Sequence, residues 1–285
     1  MALVNERGTV LDLMRVDTVR DPKALVATLR AAVAPWLRRR LLGTGVGVAG
    51  DVDPVQGVVR FAPNLKWKNV PLAALFRLAK FPEPCHVEND ANAAAWGAHR
   101  LEPGRPFRNL VVLTLGTGVG GGLVLEEKLY RGASGSAGEL GHMVVEAGGD
   151  PCVCGNRGCL EEYMGGAALV RWARREYARK NRRPAGPLDP RILEDRARAG
   201  DPVARAAWRR GARALGVALA NLLNIFNPDA ILLTGGVAKG APLFLPGALR
   251  EMSSRAFATP RRAARIGAAR RGGELGVAGA ALLVG

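Results

Sequence analysis

Short apolar runs alternate along this chain with longer stretches that carry apolar and charged residues at helical spacing. Met1–Gly8 reads as a strand entering a turn punctuated by Gly8, and Thr9–Val16 as the return strand. Thr44–Val48, Cys85–Val87, Asn109–Leu115, Ala230–Leu233 and Arg265–Ala268 read as further strands, the third and fourth of them buried. Helices are predicted over Asp21–Leu42, with Asp21 as N-cap and Pro22 at the first position, and over Val70–Lys80. A third opens at Glu88–Asp90 and runs through Ala91–His99. Gly165–Lys180, Ile192–Ala199, Pro202–Phe226 and Leu275–Leu283 complete the set. The apolar excess of Pro202–Phe226 covers a core or a dimer seam, with core the expectation. Ala49–Pro54, Asn181–Pro190 and Asn227–Asp229 are rich in turn formers and read as loops. Two blocks each begin with strands and close with helices, which predicts an α/β protein of two lobes.

Length and charge narrow this only a little. The chain has 285 residues, enough for one large domain or two ordinary ones. With 48% hydrophobic and 23% charged residues it has the composition of a soluble globular protein. No apolar run is long enough to span a bilayer and no charged-then-apolar leader begins the chain, so a cytoplasmic protein without a membrane partner is expected. The formal net charge of +16 raises the question of nucleic acid. The arginines, however, are scattered as Arg38–Arg40, Arg174–Arg175, Arg182–Arg183, Arg261–Arg262 and Arg270–Arg271, without interleaved aromatics. Solvated basic faces are the expectation, and their field would help to attract an anionic nucleotide.

Candidate chemistry concentrates in Gly138–Glu161. Cys152, Cys154 and Cys159 follow the pattern C-x-C-G-x-x-G-C, with His142 ten residues upstream. Zinc takes four such ligands in a tetrahedron, and Gly155 and Gly158 allow the tight backbone that three sulfurs around one ion require. Three clustered cysteines cannot all pair as disulfides, and no secretory signal is present. Four protein ligands leave no open position, so such a metal would hold the fold rather than do chemistry. Glu139 and Glu161 flank the cluster, either as surface carboxylates or as fixed acceptors for sugar hydroxyls. Asp90 suits a helix N-cap and, at the end of a strand, also suits a base that takes a proton from an attacking alcohol. Gly116–Gly122 contains G-x-G-x-x-G but leads into a second strand over Leu123–Leu125 and then Lys128–Tyr130, so it is a hairpin and not a dinucleotide turn. Its backbone N–H groups could still cradle phosphate, although no G-x-x-x-x-G-K-[ST] loop exists. The turn at Thr234–Ala238 suits either a close ligand approach or an ordinary strand–helix junction. Cys85 reads as a small buried hydrophobe.

Several segments in order, FAPNLKW, VENDANAAAWGAH, LTLGTGVGGGLV, LYRGASGSAGELGHM, CVCGNRGCLE and LLTGGVAKG, resemble the ROK family of sugar kinases and related repressors, closest to its glucokinase branch. The resemblance runs from about Ala2 to the C-terminus. It implies the ribonuclease-H-like, actin/hexokinase fold with an active site between lobes, the small lobe at 1–106 plus 273–285 and the large lobe at 107–272. It makes Asp90 the catalytic base of ATP-dependent phosphorylation of a hexose 6-hydroxyl. Gly50, Asn64, Asn89, Glu139, His142 and Glu161 would hold the sugar. Gly116, Thr117, Gly118, Gly120, Gly121 and Gly122 would form the second phosphate loop, and Gly235 and Gly236 would meet adenosine. ATP, Mg2+ and a structural Zn2+ on His142, Cys152, Cys154 and Cys159 are the implied cofactors, and a homodimer or higher homo-oligomer is expected.

Two departures from the family pattern stand out. Ala49 occupies a position commonly held by Pro, and the Asp-x-Gly-Gly-Thr phosphate strand that precedes the first hairpin is absent from this sequence. The second departure keeps a sugar-binding pseudokinase or truncated, inactive kinase as an alternative. N-acetylhexosamine or fructose kinases remain alternative substrate classes, since pocket changes of one group shift specificity by only about 1–3 kcal/mol. A sugar-sensing repressor would need a DNA-binding helix-turn-helix ahead of the sugar domain, for which the sequence shows no segment.

Overall fold

The computed structural model describes residues 1–102, 107–182, 184 and 186–284. Arg183 of the arginine pairs, Ala185 of the loop at 181–190, the residues before the 106/107 boundary and the terminal residue 285 lie outside that description. The chain forms two compact units. The first comprises Met1–Pro106, Gly122–Gly138 and Arg270–Gly285, and the second Phe107–Gly121 and Glu139–Ala269.

The first unit opens with the predicted hairpin, Ala2–Val4 (β1) against Val10–Leu13 (β2), antiparallel around Gly8 at φ 74°. Pro22–Ala32 forms α1, capped by Asp21, whose carboxylate accepts the Ala24 N–H at 2.7 Å. This helix ends ten residues earlier than expected. It ends at Val33, and after Pro35, which has no N–H to donate, the chain makes only a 3-10 turn over Trp36–Arg38. Thr44–Val48 (β3) is a strand as expected. The loop expected at Ala49–Pro54 instead contains a strand, Asp51–Asp53 (β4), which pairs with Val58–Ala62 (β5), itself paired with Trp67–Val70 (β6). Turn-forming Asp and Pro masked a strand whose pairing partner supplies the stabilisation. Leu72–Leu78 (α2), Cys85–Asn89 (β7) and Asp90–Leu101 (α3) follow. β3 and β7 run parallel, so Val48 lies beside Asn89.

Leu110–Leu115 (β8) is buried throughout apart from Thr114. Val119–Leu125 (β9) starts in the second unit and continues into the first, where it pairs with Lys128–Leu129 (β10). The second unit then builds Glu161–Met164 (α4), Gly166–Arg179 (α5), Pro190–Arg198 (α6) and Pro202–Phe226 (α7), the last with the expected limits. Ala230–Thr234 (β11), Ala241–Ser253 (α8), Ala258–Ala263 (α9) and Arg265–Ala268 (β12) complete it, and Leu275–Ala281 (α10) returns to the first unit.

The two cores differ in kind. The first unit buries Val26, Val48, Val59, Trp67, Phe76 and Val87 among others, between its small sheets and helices α1 and α2. The second wraps a parallel β8–β11–β12 core in helices, and Ala230–Leu233 are buried on both faces as parallel strands require. α7 supplies Trp208, Leu215, Leu219 and Leu223 to that core, and Trp208 stacks on Phe244 at 5.6 Å. The expectation that its apolar excess covers a core therefore holds for this face, while Ile225 at its end is 67% exposed. No helix among the described residues is long and apolar enough to cross a membrane.

Candidate functional site

In the first unit, the end of β7 and the start of α3 form a sharp polar corner. The N-cap is Asn89, not Asp90: its Oδ1 accepts the N–H groups of Ala91 at 2.8 Å and Asn92 at 3.0 Å. Asn89 has the extended backbone that a cap requires, and Asp90 is already the first helical residue. The Asn89 amide reaches back to the Gly50 carbonyl at 3.0 Å, which joins two of the predicted sugar-binding positions. Asp90 stays exposed, yet the protein crowded about its carboxyl removes solvent and raises its pKa above the ordinary value, with N–H donors nearby opposing the shift. Asn64 is exposed on the β5–β6 turn of the same unit.

Glu88, just before this corner, is 1% exposed. Its carboxylate accepts the Asn89 N–H at 3.0 Å, the Asn92 amide at 3.0 Å and the Arg131 guanidinium at 2.7 Å. The segment after β10 is fastened a second time: the Ser136 hydroxyl donates to Asp51 at 2.7 Å, and Arg60 pairs with Asp51 and donates to the Ser134 carbonyl. The sequence motif contains Glu88, but its partner Arg131 lies 43 residues away, and no spacing rule links the two.

In the second unit, β8 and β11 run parallel, with Thr114 beside Thr234. The turns that leave them, Gly116–Gly118 and Gly235–Gly236, therefore emerge from the same carboxyl edge of the sheet, where open α/β sheets bind ligands. Gly116 and Gly236 face open space. The Gly116 and Thr117 carbonyls accept the first N–H groups of α5 at 2.9 and 3.0 Å. Gly120, Gly121 and Gly122 are not in this turn but within β9. Gly122 is buried in the first unit, where a side chain would collide with Ala95 and the Ala91 carbonyl on α3.

Glu161 and Gly141 meet the start of β9, and Glu139 stands beside His142. Gly141, in the 3-10 turn Leu140–His142, packs so closely on the Val119 carbonyl that no side chain fits. Glu161 accepts the Val119 N–H at 2.9 Å through Oε2. Nε2 of His142 stands 4.0 Å from Glu139. The other ring nitrogen, Nδ1, lies 3.6 Å from the Cys152 sulfur, and the sulfurs of Cys154 and Cys159 are 3.7 Å apart. Donor atoms of His142, Cys152, Cys154 and Cys159 all lie within 4.8 Å of one another. Tetrahedral zinc with Zn–S bonds of about 2.3 Å requires sulfurs about 3.8 Å apart, so these four donors fit such an ion. The peptide around them is folded back on itself, with the Val145 N–H donating to the Gly158 carbonyl at 2.8 Å and the Leu160 N–H to that of Met143 at 3.0 Å. Gly158, at φ 79° and against the Glu146 carbonyl, is a position only glycine can hold. Arg210 clamps the knot from α7: it lies 3.9 Å over the Tyr163 ring and donates to Asp150 at 2.9 Å. Cys85 is apart from this cluster, half-buried in the first unit, and burial pushes its thiol up to about 11, which suits packing and not nucleophilic work.

Residues 1–285 match the ROK family. A glucokinase of Streptomyces coelicolor is 37% identical over 98% of this chain and 92% of its own length. A putative xylose repressor of Caldicellulosiruptor is 36% identical over 82% of this chain, which spans 60% of that protein. The crystal structure of a ROK glucokinase from Streptomyces griseus, in complex with glucose and AMPPNP, superimposes with a TM-score of 0.85 at 35% identity, over 99% of this chain and 94% of its own. The fold is thus the α/β fold of ROK sugar kinases, and the chain belongs to the ROK family, on its glucokinase branch.

Proposed function

We propose that this chain transfers the γ-phosphoryl group of ATP to the 6-hydroxyl of a hexose, with glucose as the substrate. The activity is that of an ATP-dependent hexokinase-type phosphotransferase. The observation that supports it most directly is Asp90: accessible, at the carboxyl end of β7, freed from capping by Asn89, and with a raised pKa. A base whose pKa is raised by burial takes an alcohol proton more effectively than an ordinary aspartate. Gly50, Asn64, Asn89, Glu139, His142 and Glu161 hold the sugar hydroxyls in this reading. Glu161 uses Oε2 on Val119 and has Oε1 to offer. Thr117 and Gly118 present backbone N–H groups to phosphate, in a turn that Gly116 closes by donating its own N–H to the Gly118 carbonyl at 2.9 Å; Gly120 and Gly121 support that turn from β9, and Gly235 and Gly236 meet the adenosine. Mg2+ bound to ATP would neutralise the phosphates, since positioning and charge neutralisation carry most of phosphoryl transfer.

Zinc on His142, Cys152, Cys154 and Cys159 holds Glu139 and Glu161 in register and takes no part in the chemistry. His142 would bind it through Nδ1 and leave Nε2 toward the sugar side, which reconciles its two expected roles. A cytoplasmic homodimer or higher homo-oligomer is part of the same reading.

A coupled assay with glucose, mannose, fructose and N-acetylglucosamine, each with ATP and magnesium, tests it. The expected result is turnover on glucose at roughly 1–100 per second, with the other sugars weaker. Glucose binding without turnover would replace this reading by that of a sugar sensor.

A further inference from the structure

Glu88 is the one buried carboxylate at the β7–α3 corner, and the proposed chemistry does not use it. A charge with 1% exposure needs full compensation, because an unpaired buried carboxylate is strongly unfavourable. Its three partners belong to three places in the first unit: the backbone of Asn89, the side chain of Asn92 on α3, and Arg131 after β10. Asn89 and Asn92 bracket Asp90, and Asn89 is tied in turn to Gly50. Arg131 opens the segment whose far end is held by Ser136, Asp51 and Arg60. The backbone carrying Asp90 thus sits inside one polar lattice that also fixes the Arg131–Ser136 segment.

We propose that Glu88 and Arg131 are positioning residues for phosphoryl transfer: their ion pair, buried on the Glu88 side and half-exposed at Arg131, holds the amino terminus of α3, and hence the Asp90 carboxylate, in its working position. This rests on the reading of Asp90 as the base. A short, charge-assisted bond fixes direction as well as distance, whereas an apolar contact of equal volume fixes neither. A shift of about 1 Å in a reacting group can lower turnover by about a hundredfold.

The test compares R131M, R131K and the pair E88Q/R131M in the full chain. R131M alone strands a buried carboxylate, so it should lower both the melting temperature and kcat. Adding E88Q removes the orphan charge and keeps an oxygen for Asn92 and the Asn89 N–H, so the melting temperature should return to near that of the parent. If the pair positions the base, kcat of the double variant stays about tenfold to a hundredfold low while sugar KM changes less than threefold. R131K should recover part of kcat. Hydrogen exchange of the Ala91 and Asn92 amides, both capped by Asn89, should quicken about tenfold in the double variant. A double variant with parental kcat and parental amide exchange would make the pair merely structural. Asp90→Asn measured alongside separates the two ideas: full turnover in that variant sinks the base, while the exchange rates still decide whether the pair anchors the corner.

Discussion

The polar corner at β7–α3 and the cysteine knot at 139–161 both hold carboxylates in place, and they do so by opposite means. The corner is built from regular structure: a parallel strand, a capped helix and an ion pair to the buried Glu88, with every link a hydrogen bond within the protein. The knot has almost no regular structure, only isolated backbone bridges at Val144–Cys159 and Pro151–Arg157 and a set of four metal-competent donors. A corner of the first kind is set as soon as its unit folds. A knot of the second kind would take its last increment of stability from an ion held on those four donors, because its backbone is held by few ladder hydrogen bonds.

The sharpest way to break that comparison is at the corner. Asp90→Asn should lower kcat by about a hundredfold to ten-thousandfold and leave sugar affinity within about tenfold, since the amide keeps the shape and cannot take the proton. Steady-state kinetics with calorimetry for glucose measures both, and a folded variant with substantial turnover removes Asp90 from the mechanism. Next comes the knot. Cys154→Ser should release one zinc per chain and lower the melting temperature by about 10 °C, because binding of such an ion is coupled to folding. Elemental analysis that finds no stoichiometric metal in the parent protein would sink the zinc reading, and with it the contrast.

A smaller effect lies at the edge of the knot. Glu161→Gln keeps an oxygen for the Val119 N–H but loses the charge offered to a sugar hydroxyl, so glucose KM should rise about tenfold. An unchanged KM would return Glu161 to a purely structural role on the Gly118 turn.

The smallest effect is on stability and has a defined sign. Burial raises the Asp90 pKa in the folded state above its ordinary 3.8. The native state therefore holds that proton more tightly, and the associated stability is complete below pH 3.8 and is lost as pH rises through the raised value. Asn does not titrate, so Asp90→Asn should melt slightly above the parent at pH 7, and the difference should shrink as pH falls below 4. Melting curves across that range check it, and a variant that gains stability toward acid pH would contradict the shift. The same shift moves the acid limb of kcat/KM upward from where an unperturbed aspartate would put it.

Local chemistry was legible in the residues alone. The caps at Asp21, the limits of Pro202–Phe226, the strands at 44–48 and 265–268, and the cysteine spacing all follow from rules that act over a few residues. The strand at Asp51–Asp53 was not legible, because its turn-forming residues are outweighed by pairing with Val58–Ala62. Nor was the choice of Asn89 over Asp90 as cap, since both side chains can accept the same N–H groups and the extended backbone of Asn89 in β7 settles which one does. The tertiary fold alone decided that Glu88 meets Arg131, that Glu161 meets Val119, and that the turns after β8 and β11 share an edge. Spacing along a chain fixes neighbours within a helix turn or a strand pair, while contacts between residues tens of positions apart exist only once parallel strands and helices have chosen their places.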